Sequence, residues 1–84
     1  GMSLADRHLV NRLLERDEDA FRELVDMYGG RIYSLVLRLL GNTSEAEDVA
    51  QEVFVTVWKS IETFRGEAKL STWLLRIAAN QAKN

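Results

Sequence analysis

The chain has no cysteine, which excludes a disulfide framework or a thiolate metal site and fits a reducing compartment. Its one histidine, His8, falls on the polar face of an amphipathic stretch with no ligand set around it, and reads as solvated. No apolar run approaches the roughly 20 residues needed to span a bilayer, and no secretory signal pattern is present, so no membrane partner is expected. The chain also lacks a nucleophile–base pair, a metal cluster and a phosphate loop, so nothing in it argues for catalysis or a cofactor. What is present is 84 residues, enough for one domain, with a hydrophobic content of 46% that suffices for a compact core. Gly1 ahead of Met2 reads as a remnant of tag removal.

The formal net charge of −2 hides an asymmetry. Residues 1–58 carry 6 basic and 11 acidic side chains, whereas residues 59–84 carry 5 basic (Lys59, Arg65, Lys69, Arg76, Lys83) and 2 acidic (Glu62, Glu67). An acidic body with a basic end suggests two different kinds of partner, although charge alone does not establish nucleic-acid binding.

Apolar spacing of three and four runs through nearly the whole chain and predicts an all-α bundle of about four helices. Ser3 with Asp6 starts the first, which uses Leu4, Leu9, Val10, Leu13 and Leu14 and ends near Glu15. Asp17 caps a second and longer one from Glu18 to Leu40, in which Phe21, Leu24, Val25, Tyr28, Ile32, Leu35, Val36 and Leu39 keep phase. Gly29–Gly30 costs that helix roughly 1 kcal/mol per glycine, yet the unbroken phase favours continuity over a phosphate-binding loop. Gly41–Asn42 is a stop, and Ser44 with Glu47 reads as the capping box of the third helix.

That third helix, SEAEDVAQEVFVTVWK at Ser44–Lys59, has two faces. Ala46, Val49, Ala50, Val53, Phe54 and Val57 make an apolar stripe for the core. Glu45, Asp48, Gln51 and Glu52 gather opposite, with Val55 in their midst and Trp58 at the edge, so the face reads as a docking surface. Acidic residues near a helix N-terminus also suit its dipole, but that does not account for Gln51, Glu52 or Val55. A di-metal site is excluded because no acid-x-x-His pair exists and the acids face outward.

Ile61–Lys69 loses the helical period and reads as a loop that Phe64 anchors to the core. A last helix follows, capped by Ser71 or Thr72 or starting a turn earlier. Leu70, Leu74, Leu75, Ile77, Ala78 and Ala82 face its core, and Trp73, Arg76, Asn80 and Lys83 form a continuous stripe opposite. An aromatic in line with cations and an amide can stack bases and hold phosphates; equally, Trp73 can pack into the core while the cations solvate the surface. The pattern reaches Asn84 without a stop signal, which predicts that the natural chain continues.

AED-x-x-QE-x-F, F-R-G and TWL-x-RIA-x-N occur in order, preceded by DEDAFRELVDMYGGRIYSLVLRLLG, and over nearly its whole length the chain resembles region 2 of bacterial sigma factors, most closely the extracytoplasmic-function group. The resemblance implies a helical domain over 1–84 that binds the clamp helices of the largest subunits of RNA polymerase core through Asp48, Gln51 and Glu52. Val55 and Trp58 join that set as neighbours on the same face. It further implies that Phe64–Thr72, including Phe64, Arg65, Lys69, Ser71 and Thr72, and then Trp73, Arg76, Asn80 and Lys83, read the promoter −10 element on the non-template strand. Backbone phosphates need cations nearby, and an extruded base needs a pocket. Primary sigma factors have two tryptophans after the threonine and a longer aromatic-rich loop, whereas Leu74 follows Trp73 here and the loop holds only Phe64; weaker promoter melting is expected. Members of the family normally add a helix-turn-helix domain, absent from this chain, and many are held by an anti-sigma protein; the work is cytoplasmic. The alternative is a helical adaptor that binds only protein through its acidic face.

Overall fold

A computed structural model describes residues 1–84, which form four α-helices and one 3-10 turn without strands. The first helix, α1 (Leu4–Leu14), begins where Ser3 Oγ accepts the Asp6 amide at 3.1 Å, and it buries Leu9, Val10 and Leu13. Leu4 and Leu14, which share a face with them by spacing, remain exposed because nothing packs over the ends of this short helix. Asp17 caps α2 (Glu18–Leu40) by accepting from the amides of Asp19 and Ala20.

The long helix runs unbroken through Gly29–Gly30, as its phase predicts. It ends at Gly41, whose φ of 69° is left-handed and whose amide donates to the Leu37 carbonyl at 2.8 Å. Only glycine takes that conformation without a steric cost. Ala20, Leu24, Ile32 and Val36 are buried; Phe21, Val25, Tyr28 and Leu35 are half-buried, and Leu39 is exposed.

Helix α3 (Thr43–Ser60) starts earlier than the Ser44 box predicts. Asn42 sits in extended conformation just before the first turn, and its Oδ1 accepts the Glu45 amide at 2.9 Å. Asparagine is among the best N-caps, so Ser44 is left inside the first turn. The helix tightens into a 3-10 turn at Ile61–Thr63, which buries Ile61. Helical geometry therefore persists three residues into the predicted loop. The following bend passes through Gly66 at φ 76°, where an added Cβ would also lie 3.1 Å from the Met2 side chain.

Helix α4 (Leu70–Lys83) begins one residue before Ser71, after Lys69 in extended conformation, with no side-chain cap. Ser71 and Thr72 lie in its first turn and are half-buried rather than capping. Helices α2, α3 and α4 pack on one another, while α1 rests on α2 and the 3-10 turn. All fifteen buried residues are apolar. The α3–α4 seam carries one polar tie, in which Gln81 Nε2 donates to Thr56 Oγ1 at 2.5 Å.

Candidate functional site

The capping of α3 at Asn42 sets the rotation of its sides. Ala46, Val53, Phe54 and Val57 turn into the core, and Glu45, Asp48, Gln51 and Glu52 turn outward, all exposed. None of those three carboxylates enters an ion pair. Unpaired like charges on one face are poorly placed for self-stabilisation and well placed to meet a basic partner. Val55 is 50% exposed within this face.

Trp58 occupies a more structured place than the edge predicted for it. Its ring meets Phe21 of α2 at 5.1 Å, nearly perpendicular, and Phe21 in turn meets Phe54. With Glu18, Phe21, Arg22 and Val55 it lines a cleft of about 370 Å³ between the start of α2 and the end of α3. The acidic face therefore ends at an apolar notch with one carboxylate and one guanidinium on its rim.

Arg16 fixes that notch from behind and has no counterpart in the helical pattern. Its guanidinium lies 5.2 Å from the centre of the Trp58 ring, donates to the Trp58 carbonyl and pairs with Glu62 at 2.9 Å. Arg16 has φ 60°, the one non-glycine residue with positive φ. It occupies the position after α1 where glycine is usual: its amide donates to Leu13, and the Asp17 amide to Arg12. The only signal in the sequence is the helix stop itself.

The second surface lies on the loop and α4. The rings of Phe64 and Trp73 tilt against each other at 4.9 Å and pack on the core. They line a shallow cleft of about 140 Å³ together with Thr63, Arg65, Glu67, Ala68 and Arg76. Each aromatic packs on the core with one side and lines the cleft with the other. Arg65, Lys69, Arg76 and Lys83 are exposed and have no carboxylate partner. Asn80 and Lys83 are exposed further along α4 and do not line the cleft; Asn80 lies seven residues, about 10 Å of helix, beyond Trp73. Glu67, absent from the expected set, puts a carboxylate on the cleft rim that disfavours a phosphate at that spot.

Residues 24–84 match the family model described as sigma-70 region 2. The chain belongs to the sigma-70 region 2 family. Among curated members, it is 43% identical over 79 residues to the extracytoplasmic-function sigma factor SigW of Bacillus subtilis, covering 94% of this chain and 42% of that protein. It is 41% identical over 81 residues to the sigma-E factor of Escherichia coli, covering 96% of this chain and 42% of that one. The chain thus spans about two fifths of the length of these relatives. Among solved structures, an engineered region 2 of sigmaE, determined by NMR in complex with GTAAAA, superposes with a TM-score of 0.86 at 40% identity, covering 94% of this chain and 82% of that one.

The segment matched to sigma-70 region 2 starts at Leu24 and includes all of α3, the loop and α4, hence the acidic row and the aromatic cleft, while Glu18, Phe21 and Arg22 of the notch precede it. Within this region 2 fold, Leu74 is fully buried between helices. Its departure from a tryptophan pair therefore falls on a core position in this chain, and the aromatics that line the cleft are Phe64 and Trp73.

Proposed function

We propose that this domain is the part of a sigma factor that attaches to RNA polymerase core and recognises the −10 element of a promoter on its non-template strand. It is a binding module of transcription initiation, acting in the bacterial cytoplasm, with no catalytic step of its own. The observation that carries the reading is the cleft floored by Phe64 and Trp73 and rimmed by the unpaired Arg65 and Arg76. An unstacked base finds a π-surface there, and flanking phosphates find cations along Lys69, Arg76 and Lys83. The engineered sigmaE region 2 that superposes on this chain was determined in complex with GTAAAA, which supports single-strand DNA binding by this fold.

On the other side, Asp48, Gln51 and Glu52 meet the clamp helices of polymerase, with Val55 and Trp58 receiving an apolar side chain in the notch beside them. The two contacts share no residue, so attachment and DNA reading are separable. Titration with GTAAAA, followed by NMR, tests the DNA half. Trp73→Ala should weaken binding about 5- to 160-fold, since stacking on an aromatic is worth about 1–3 kcal/mol per base. In the polymerase half, Gln51→Ala with Glu52→Lys should abolish capture by the isolated clamp helices while leaving the circular dichroism spectrum unchanged. Capture without any oligonucleotide binding at low salt would make the chain an adaptor instead.

A further inference from the structure

The segment between Phe64 and Trp73 has few bonds to hold it in place. At one end the Phe64 amide donates to the Ile61 carbonyl at 3.0 Å, and at the other the Trp73 amide donates to the Lys69 carbonyl at 3.1 Å. No backbone amide of residues 65–69 donates to a backbone carbonyl, and none of their side chains enters an ion pair. A segment without such bonds keeps one conformation through what packs on it. Gly66 is half-buried in the middle of the segment, and the group that comes close to it is the methyl of Met2. A Cβ on Gly66 would lie 3.1 Å from Met2 Cε, tighter than ordinary contact. Glycine is therefore needed there twice, once for its positive φ and once for this approach.

Met2 reaches the loop by a defined route. Ser3 caps α1 by accepting the Asp6 amide, which fixes the direction in which the preceding residue leaves the helix. An apolar residue before the cap often packs on the fourth residue of the helix, but that residue here is Arg7. Met2 packs on the core and on Gly66 instead. Helix α1 itself rests on the 3-10 turn that leads to Phe64, so the helix and the residue before it both bear on the approach to the loop. An unbranched thioether suits an irregular gap of this kind. We propose that Met2 is a positioning residue of the DNA-reading loop. Packed on Gly66, it holds residues 65–69 in the conformation in which Phe64, Arg65 and Trp73 form one cleft. The inference rests on the DNA-reading function proposed above and gives it a residue outside the segment matched to the family model.

The test compares the wild type with Met2→Ala, Met2→Leu and Met27→Ala. Met27 is the other methionine of the chain and lies exposed on α2, so its variant serves as the control. Heteronuclear NOEs of the backbone amides in the free domain read the order of residues 65–69 directly. Met2→Ala should lower them while leaving those of α3 and α4 unchanged, Met2→Leu should restore them, and Met27→Ala should change none. Met2→Ala should also weaken GTAAAA about three- to tenfold, because a loop ordered only on binding gives up part of its affinity. Binding of a scrambled hexamer, held through exposed cations, should change less, so the preference for GTAAAA narrows and Met2→Leu recovers it. With methyl-labelled methionine, GTAAAA should shift the Met2 signal and leave that of Met27 in place. Unchanged NOEs in Met2→Ala would overturn the proposal whatever the DNA does. So would a loosened loop that keeps the full wild-type preference for GTAAAA, which would reduce Met2 to a packing residue. A loop loosened by Met2→Ala in a domain whose wild type binds both strands equally would uphold Met2 as what positions the loop and sink base reading instead.

Discussion

Arg16 holds a conformation that costs an ordinary L-residue roughly 1 kcal/mol relative to glycine. Its side chain compensates by clamping Trp58 and Glu62. Arg16→Gly relieves the backbone and removes the clamp together, so stability should change by less than about 1 kcal/mol. In a Trp73→Phe background Trp58 is the only indole, and its emission should shift to the red as the ring is freed. An unshifted spectrum would mean that Phe21 alone holds the ring. Asp17 shows how charge enters at this scale. The Arg12 guanidinium, 3.0 Å away, is the main cause that holds the Asp17 carboxyl below the ordinary aspartate value, and the amides it caps help. A carboxyl depressed in the folded state contributes stability that is complete above the ordinary value and lost as pH falls through the folded one. Asp17→Asn keeps a capable cap but removes the charge. Thermal unfolding followed on the acid side of the ordinary value should therefore depend less steeply on pH in the variant than in the wild type. Asp17 is legible from its position before an apolar periodic run. Arg16 is not, because its partner stands 42 residues away and only the fold brings them together.

At the scale of the element, hydrophobic phase and capping chemistry decide nearly everything. Phase carries α2 through two glycines because the core on one side is continuous, with Leu24 and Ile32 buried on either side of the pair. Gly30 has no close approach to protect, since an added Cβ there would meet nothing within 4 Å. Gly30→Ala should therefore stabilise the domain by about 0.5–1 kcal/mol. For a domain of this size that raises the melting temperature by a few degrees, read by calorimetry. A lower melting temperature would show that α2 needs its glycine to bend. The ends of α3 and α4 are where local signals mislead. Ser44 and Asn42 are both able caps, and the more N-terminal one prevails because the chain is already extended at Asn42 after the left-handed Gly41. No polar cap starts α4 at all; burial of Leu70 in its first turn fixes the start.

For the whole molecule, size is the governing quantity. An 84-residue domain has a net stability near the low end of the usual 5–15 kcal/mol, so a single core truncation matters. Leu74 is fully buried, and Leu74→Ala should cost about 2–5 kcal/mol, read by urea or thermal unfolding, leaving a domain marginal at 37 °C. A loss below 1 kcal/mol would mean that the helices close over the gap. The helix count, the boundary of α2, the outward acidic row on α3 and the cationic stripe on α4 all follow from one-dimensional pattern, because a 3.6-residue period determines which side chains share a face. Which faces oppose which does not follow from it. Packing of α2 against α3 makes a notch of Phe21, Val55 and Trp58, and packing of α2 against α4 brings Arg31 and Arg38 beside Leu75. The fold of the loop sets Phe64 on Trp73. The acidic row of α3 is thus legible from residues alone as an exposed, outward-facing surface. The clefts that flank the two contact surfaces arise from side chains distant in sequence, and burial of the core is what brings them together.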